Sequence, residues 1–220
     1  MIVEANGLSF ARLRKEDIEL VRHWRNSKKI NQHMHFKGRI TVEMQEKWFE
    51  SINNFSNYYF ILQSGQSKIG LVNFHGVDSD LRNAETGIFI WNDDFLGSGI
   101  PVLSLLILLG FGYHFLGLSS VYGYVLGNNI RAINCYKKVG ALIHKELDED
   151  RVLMQATKEH YELKAQTAWK TIMKDHNPVH AAKIVLERED QESSLAEHIT
   201  GIYDRLPPDS KARYVLINND

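Results

Sequence analysis

One short segment limits what this chain can fold into more than any other: Phe89-Ile90-Trp91-Asn92-Asp93-Asp94-Phe95-Leu96-Gly97-Ser98-Gly99-Ile100-Pro101. Its apolar start reads as a strand and Gly97-Ser98-Gly99 as a tight turn. Pro101 suits the first turn of a helix, where a missing N–H costs little. Gly97 and Gly99 leave the backbone bare, so amides of the turn can converge on one point. A helix N-terminus behind such a turn attracts an anion and suits a pyrophosphate. Glycine turns ahead of helices are common, so the segment takes its weight from the sequence downstream.

The remainder alternates short apolar runs with amphipathic stretches. Phe10 to Leu13 reads as a strand, and Lys15 to Asn26 sets Ile18, Leu20, Val21 and Trp24 on an approximate helical face. Ser27 to Ile40 is polar, aromatic-bearing and rich in histidine. Thr41 can cap a helix running to about Asn53, with Met44, Trp48, Phe49 and Ile52 inward. Tyr58 to Gln63 and Lys68 to His75 form a hairpin across Ser64-Gly65-Gln66-Ser67, and Ala84 to Trp91 is the next strand. An apolar helix from Pro101 to Leu116, a strand from Val121 to Leu126 and a helix from Asn129 to Val139 follow. Ala141 to Glu146 and Arg151 to Thr157 pair across Asp148-Glu149-Asp150, and Lys158 to Met173 is helical. Strands in succession favour antiparallel pairing, while the strand–helix–strand unit from Ala84 to Leu126 is parallel or splayed. The expected fold class is therefore α/β with a mixed, mostly antiparallel sheet flanked by helices.

Beyond Asp175 the character shifts. Asn177-Pro178 can start a helix, Glu187 to Glu192 is a charged run, and Leu195, Ile199, Ile202 and Leu206 mark an amphipathic helix stopped by Pro207-Pro208. Residues 1–175 are read as the main domain and 176–220 as a helical appendage, whose apolar face can pack on the core or on a second subunit, as in a homodimer.

Bulk properties narrow the function classes. A formal charge of −1 over 220 residues gives no global attraction to nucleic acid or to an anionic membrane. The single cysteine excludes an internal disulfide framework and suits a reducing, cytoplasmic setting. Met1 to Asn6 shows no secretory pattern. The longest apolar run, Ile100 to Phe115, is shorter than a membrane span and contains Pro101, Gly110 and Gly112, as a buried helix can.

Downstream of the glycine turn, Val121 to Leu126 ends in Gly127-Asn128-Asn129. Asn129-Ile130-Arg131-Ala132-Ile133-Asn134-Cys135-Tyr136-Lys137-Lys138-Val139-Gly140 follows. Together with Gly97-Ser98-Gly99 this resembles the GNAT superfamily of acyl-CoA-dependent N-acetyltransferases, over roughly residues 8–160. The family pattern runs Arg/Gln-x-x-Gly-x-Gly/Ala, then Asn-x-x-Ala-x-x-x-Tyr-x-x-x-Gly. Asn129, Ala132, Tyr136 and Gly140 match the second part, and Gly97 and Gly99 the first, while Asp94 stands in the Arg/Gln slot. A narrower likeness, carried by Trp24-Arg25-Asn26, Ile30, Met34, Tyr59-Phe60-Ile61, Ile69-Gly70 and Glu85-x-Gly87, is to the amino-sugar N-acetyltransferases of the pseudaminic acid pathway. Those enzymes acetylate the 4-amino group of a UDP-linked deoxysugar.

The resemblance implies acetyl-CoA as co-substrate, no metal, and direct attack of an amine on the thioester. Tyr136 occupies the position of the general acid that protonates the departing sulfur; a phenol, with an ordinary pKa of roughly 10, can supply that proton. Glu85 is the candidate base, directly or through water, because a partly buried carboxylate is shifted toward neutrality; its plainer reading is a strand-edge residue paired with Arg82 or solvated. Main-chain amides near Phe89 and Ile90 are expected to face the thioester oxygen, and those of Gly97, Ser98, Gly99 and Ile100 the pyrophosphate. Asn129 is expected to hold the pantetheine arm, to cap its helix, or both. Arg131, Lys137 and Lys138 can meet the adenosine phosphates.

On the acceptor side, His33-Met34-His35-Phe36-Lys37-Gly38-Arg39 mixes polar and aromatic groups suited to a nucleotide-sugar. Arg25, His35, Arg39 and His75 are the candidate substrate contacts, with Arg25 alternatively tying helix to loop and His75 alternatively structural. His33-x-His35 lacks a third ligand for a metal. Cys135 is read as a small buried hydrophobe and not as an acyl carrier. Other acceptors keep the same chemistry: a protein N-terminus, an antibiotic, or a polyamine, which would want an acidic cleft that the sequence does not offer. A non-catalytic CoA-binding module is the reading from a different class, and Tyr136 argues against it.

Overall fold

In a computed structural model, which describes residues 1–147, 150–173 and 181–219, the chain is organised by a single sheet. Its strands in chain order are β1 (Ile2–Ala5), β2 (Leu8–Arg12), β3 (Tyr58–Ser64), β4 (Ser67–Asp78), β5 (Asn83–Ile90), β6 (Ser120–Leu126), β7 (Leu142–Leu147), β8 (Arg151–Thr157), β9 (Ala182–Leu186) and β10 (Tyr214–Asn218). In space they run β10-β9-β1-β2-β3-β4-β5-β6-β8-β7. Pairing is antiparallel except for β5 with β6 and β9 with β10.

Strand alternation gives the sheet two apolar faces. Phe60 and Leu62 of β3 join the larger core, while Ile61 between them joins the smaller one. The smaller core is covered by α1 (Ile18–Asn26), α2 (Lys28–Asn31) and α3 (Val42–Ile52), which bury Val21, Ile30 and Ile52. Ser27 and Thr41 cap α2 and α3 by accepting from the Ile30 and Met44 amides. The other face carries α4 (Ile100–Gly110), α5 (Ile130–Lys138) and α6 (Lys158–Met173). In α4 every residue from Val102 to Leu109 is buried, so it is apolar all round, as a central helix must be. The sequence run expected as one helix to Leu116 changes register: Phe111–Phe115 is a π turn closed by Leu116 N–H donating to Phe111 O at 3.0 Å. No described helix is long and apolar enough to cross a membrane.

The functional opening comes from incomplete pairing. β5 and β6 pair in parallel only through Asn83–Ser120, Ala84–Val121 and Glu85–Tyr122. Beyond that point β5 stays with β4 as far as Ile90, and β6 with β8 as far as Leu126, so the two strands part.

The helix expected over Leu195, Ile199, Ile202 and Leu206 is present as α8 (Ser194–Asp204), and two short helices that the sequence reading does not anticipate flank it, α7 (Arg188–Gln191) in the charged run and α9 (Pro208–Lys211) after Pro207. The same segment also supplies β9 and β10, which helical periodicity did not reveal. Ala182-Lys183-Ile184-Val185-Leu186 is a short apolar run that periodicity alone cannot assign. β9 pairs with β1, and the Met1 amino group bonds Asp190 of α7. The helix start expected at Asn177-Pro178 and the turn residues Asp148 and Glu149 lie outside the described residues.

Candidate active site

The glycine turn behaves as its sequence predicts. Gly97 takes φ +85°, a left-handed conformation that favours glycine. Ser98 Oγ donates to Phe95 O at 2.7 Å and accepts from the Ile100 amide at 3.2 Å, which fixes the start of α4. Ile100, expected to offer its N–H to a phosphate, is thus already engaged by Ser98. Among the described residues the amides of Gly97, Ser98 and Gly99 donate to no group of the chain. Asp94 is exposed, and its own amide donates to Asn92 Oδ1 at 3.0 Å. A bare anion turn therefore sits at the N-terminus of an eleven-residue helix, where the dipole favours negative charge by roughly 0.3–1 kcal/mol.

Tyr136 points from α5 toward the vertex of the β5–β6 opening. A Cβ placed on Gly123 of β6 would stand 2.8 Å from Thr86 O and 3.9 Å from the Tyr136 hydroxyl, so glycine there allows all three to meet. Burial pushes the Tyr136 phenol well above its ordinary value, Cys135 and Glu85 add to the rise, and hydrogen bonding by the Ile88 main chain opposes part of it. The group is held as a neutral proton donor. Cys135 is also largely shielded, and burial pushes its thiol up to about 11, a poor nucleophile at neutral pH.

Which amides face the opening follows from strand alternation. The Phe89 carbonyl points at Gly70 of β4, and Trp91 N–H donates to Ile69 O at 2.9 Å. Peptide groups of Phe89 and Trp91 therefore belong to the β4 ladder, and those of Ile88 and Ile90 face the splay. Of the expected pair Phe89 and Ile90, only Ile90 faces the opening; the Ile88 amide faces it too but bonds the Tyr136 hydroxyl. The sequence locates the strand but not its parity.

Glu85 lies opposite His75 on β4 and Tyr122 on β6. Burial raises its carboxyl above the ordinary range, and His75 offsets part of the rise. Tyr59, whose phenol burial pushes up to about 12, feels both Glu85 and the Arg25 guanidinium, and its ring stands 6.2 Å from that of His75. Arg25, Tyr59, His75 and Glu85 thus form one polar cluster. Sequence reasoning did not give Tyr59 a role; its place in a strand otherwise read as core hid it. Arg25 is mostly buried, burial lowers its pKa, and its Nε has no hydrogen-bond partner. It does not serve as the helix-to-loop tie. That task falls to Asn26, which donates to Ile40 O at 2.9 Å and accepts from the Ile40 amide at 2.8 Å.

The loop between α2 and α3 is therefore clamped at its base. Lys29 ties its start to the coenzyme turn, donating to Trp91 O at 2.7 Å and pairing with Asp93 at 2.5 Å. His35 and Arg39 are exposed on this loop. Burial, Lys37 and Arg131 together lower the pKa of His33. Arg131, expected near the adenosine phosphates, shares its field with the acceptor loop. Asn129 caps α5, its Oδ1 accepting from the Ala132 amide at 3.2 Å, which leaves its amide nitrogen as the free donor.

Beside the turn lies a cavity of about 1000 Å³, lined by Gly97 to Ile100, by Asn134, Lys137 and Lys138 of α5, and by residues of α6. An anion turn, a splayed strand pair and a buried phenol at its vertex fit a thioester carried on a long diphosphate arm. Residues 8–142 match the acetyltransferase (GNAT) domain family. The chain belongs to the GNAT acetyltransferase family. It is an acyl-CoA-dependent N-acetyltransferase, with acetyl-CoA as co-substrate. Among its GNAT relatives, spermidine N(1)-acetyltransferase of Escherichia coli (strain K12) is 24% identical over 144 residues, 65% of this chain and 77% of that protein. Acetyltransferase PseH of Campylobacter jejuni is 25% identical over 144 residues, 65% of this chain and 86% of that one. The GNAT fold is shared with spermidine N-acetyltransferase from Vibrio cholerae in complex with CoA and spermine, at a TM-score of 0.64, 20% identity, and coverage of 71% and 98%. It is shared also with AAC(6')-Ib in complex with ribostamycin and coenzyme A, at a TM-score of 0.63, 17% identity, and coverage of 71% and 97%. Among the described residues no group of three His, Cys, Asp or Glu is placed to hold a metal.

Proposed function

We propose that this acetyltransferase acts, in the cytoplasm, on an amino sugar linked to a nucleotide. The observation that carries the reading is the charge of the acceptor loop. From Ser27 to Thr41 the chain has Lys28, Lys37 and Arg39, with His33 and His35, and no Asp or Glu; its fourth cation, Lys29, is paired with Asp93. Ile30 and Met34 of this loop share the smaller core with Phe89, which lies on the same strand face as Glu85. Arg131 adds to the same field, and the unpartnered Nε of Arg25 lies beside Tyr59. A diphosphate meets attraction there, and a polyamine meets like charge, which costs affinity and selects against it. The similarity to PseH and to spermidine acetyltransferases is equally distant, so the discriminating argument is electrostatic.

In this reading Glu85, directly or through a water, takes the proton of the attacking amine. The nitrogen bonds to the thioester carbon, with the Ile90 amide facing its oxygen. The carbon–sulfur bond breaks, and Tyr136 gives its proton to the sulfur. A thiol-release assay with acetyl-CoA and three acceptors tests the substrate class: a UDP-linked 4-amino-deoxysugar, spermidine and an aminoglycoside. The nucleotide-sugar is expected to exceed the other two in kcat/KM by about 100-fold or more. A preference for spermidine overturns the reading.

A further inference from the structure

We propose that α6 forms a third wall of the coenzyme site and that its Lys164, together with Lys137 and Lys138 of α5, holds the 3′-phosphate at the adenosine end of CoA. The inference rests on the acetyl-CoA reading and extends it to the part of the coenzyme farthest from the chemistry.

Residues of α6 lie beyond the stretch that matches the family, which ends at residue 142. The helix is nevertheless built onto the site at both ends. At its start, a Cβ on Gly140 would stand 2.5 Å from His160 O, and Gly140 takes φ +95°, so only a bare residue lets α6 dock on the end of α5. Tyr161 Oη donates to Leu106 O of α4 at 2.9 Å. Farther along, Ile172 comes within 3.0 Å of where a Cβ on Gly99 would sit, in the anion turn itself. Sixteen residues of helix, about 24 Å, thus bridge the end of α5 and the start of α4.

The face turned to the cavity is regular. Lys164, Thr167, Ala168, Thr171 and Ile172 stand at positions i, i+3, i+4, i+7 and i+8, and all line it. They stand against Asn134, Lys137 and Lys138 across a volume of about 1000 Å³, room for a nucleotide. Among the described residues the lining holds three ammonium groups and no carboxylate, and none of the three lysines is paired with an acid. An unneutralised basic pocket that begins at a diphosphate turn calls for a further anionic group on the same ligand. In CoA that group is the ribose 3′-phosphate, absent from dephospho-CoA.

Binding of CoA and of dephospho-CoA to the full chain, measured by calorimetry, tests this. The wild-type protein is expected to bind CoA about 20-fold more tightly than dephospho-CoA. Lys164→Ala should weaken CoA about fivefold while leaving dephospho-CoA within twofold, and Lys164→Arg should restore most of the loss. Equal wild-type affinity for the two ligands overturns the inference alone, as does Lys164→Ala weakening both alike or neither. Failure of the wild-type protein to bind either ligand overturns the acetyl-CoA reading, and the inference with it.

Discussion

Apart from Tyr136 and the lysines of α5 and α6, the site on the α4 face of the sheet is made of main chain: bare amides at Gly97 to Gly99, the inward peptide groups of Ile88 and Ile90, and a glycine at 123 that keeps the opening's vertex clear. On the α1–α3 face it is made of side chains: Arg25, Tyr59, His75, Glu85 and a basic loop. Main chain binds a constant ligand without depending on residue identity. Side chains set charge, and charge chooses among acceptors. The contrast explains how distant relatives can share a coenzyme and differ in substrate.

Three substitutions can break or sharpen this division. Tyr136→Phe, at the meeting point, should have the largest effect: kcat falls by about 100-fold or more while CoA affinity stays within twofold, read by steady-state kinetics beside calorimetry. An unchanged kcat removes the phenol as the acid. Glu85→Gln should lower kcat/KM by about tenfold to thirtyfold and change the pH profile. In the proposed mechanism the carboxylate form is the base, so activity should be lost as pH falls through the Glu85 pKa, a limb that burial sets above the ordinary carboxylate range. In the variant the limb disappears, and a limb due to the acceptor amine remains. A profile identical to wild type transfers the role of base to water alone. Arg25→Met, confined to the acceptor half, should raise the acceptor KM about fivefold to tenfold and leave the acetyl-CoA KM unchanged. Equal changes in both constants would show that the two halves are not separable.

The coenzyme half was the more legible in sequence, for the same reason that it is constant. A turn that must expose amides needs glycine, a helix behind it tolerates proline, and Gly140 marks a helix end that only φ +95° satisfies. Those requirements sit at fixed spacings in one stretch of chain. The parity that faces Ile88, and not Phe89, toward the opening depends on pairing with β4, which no local pattern states. Tyr59 acquires its neighbours only when β3, β4 and β5 are side by side. Lys164 reads as part of a solvated helix face until α6 is seen against the anion turn. β9 and β10 are too short for periodicity to separate from helix.

The pairing of β1 with β9 has a consequence for synthesis. Ile2 faces Val185 and Val3 faces Ile184, so β1 leaves the ribosome long before the strand that becomes its outer neighbour. At about 5–20 residues per second the nascent polypeptide carries that bare edge for roughly 10–35 s, long enough for a bystander strand to add itself. Truncation ahead of residue 182 would therefore leave more than a shortened protein: a permanently adhesive border, prone to aggregation, beside a core stripped of Ile184, Leu186, Ile199 and Tyr214.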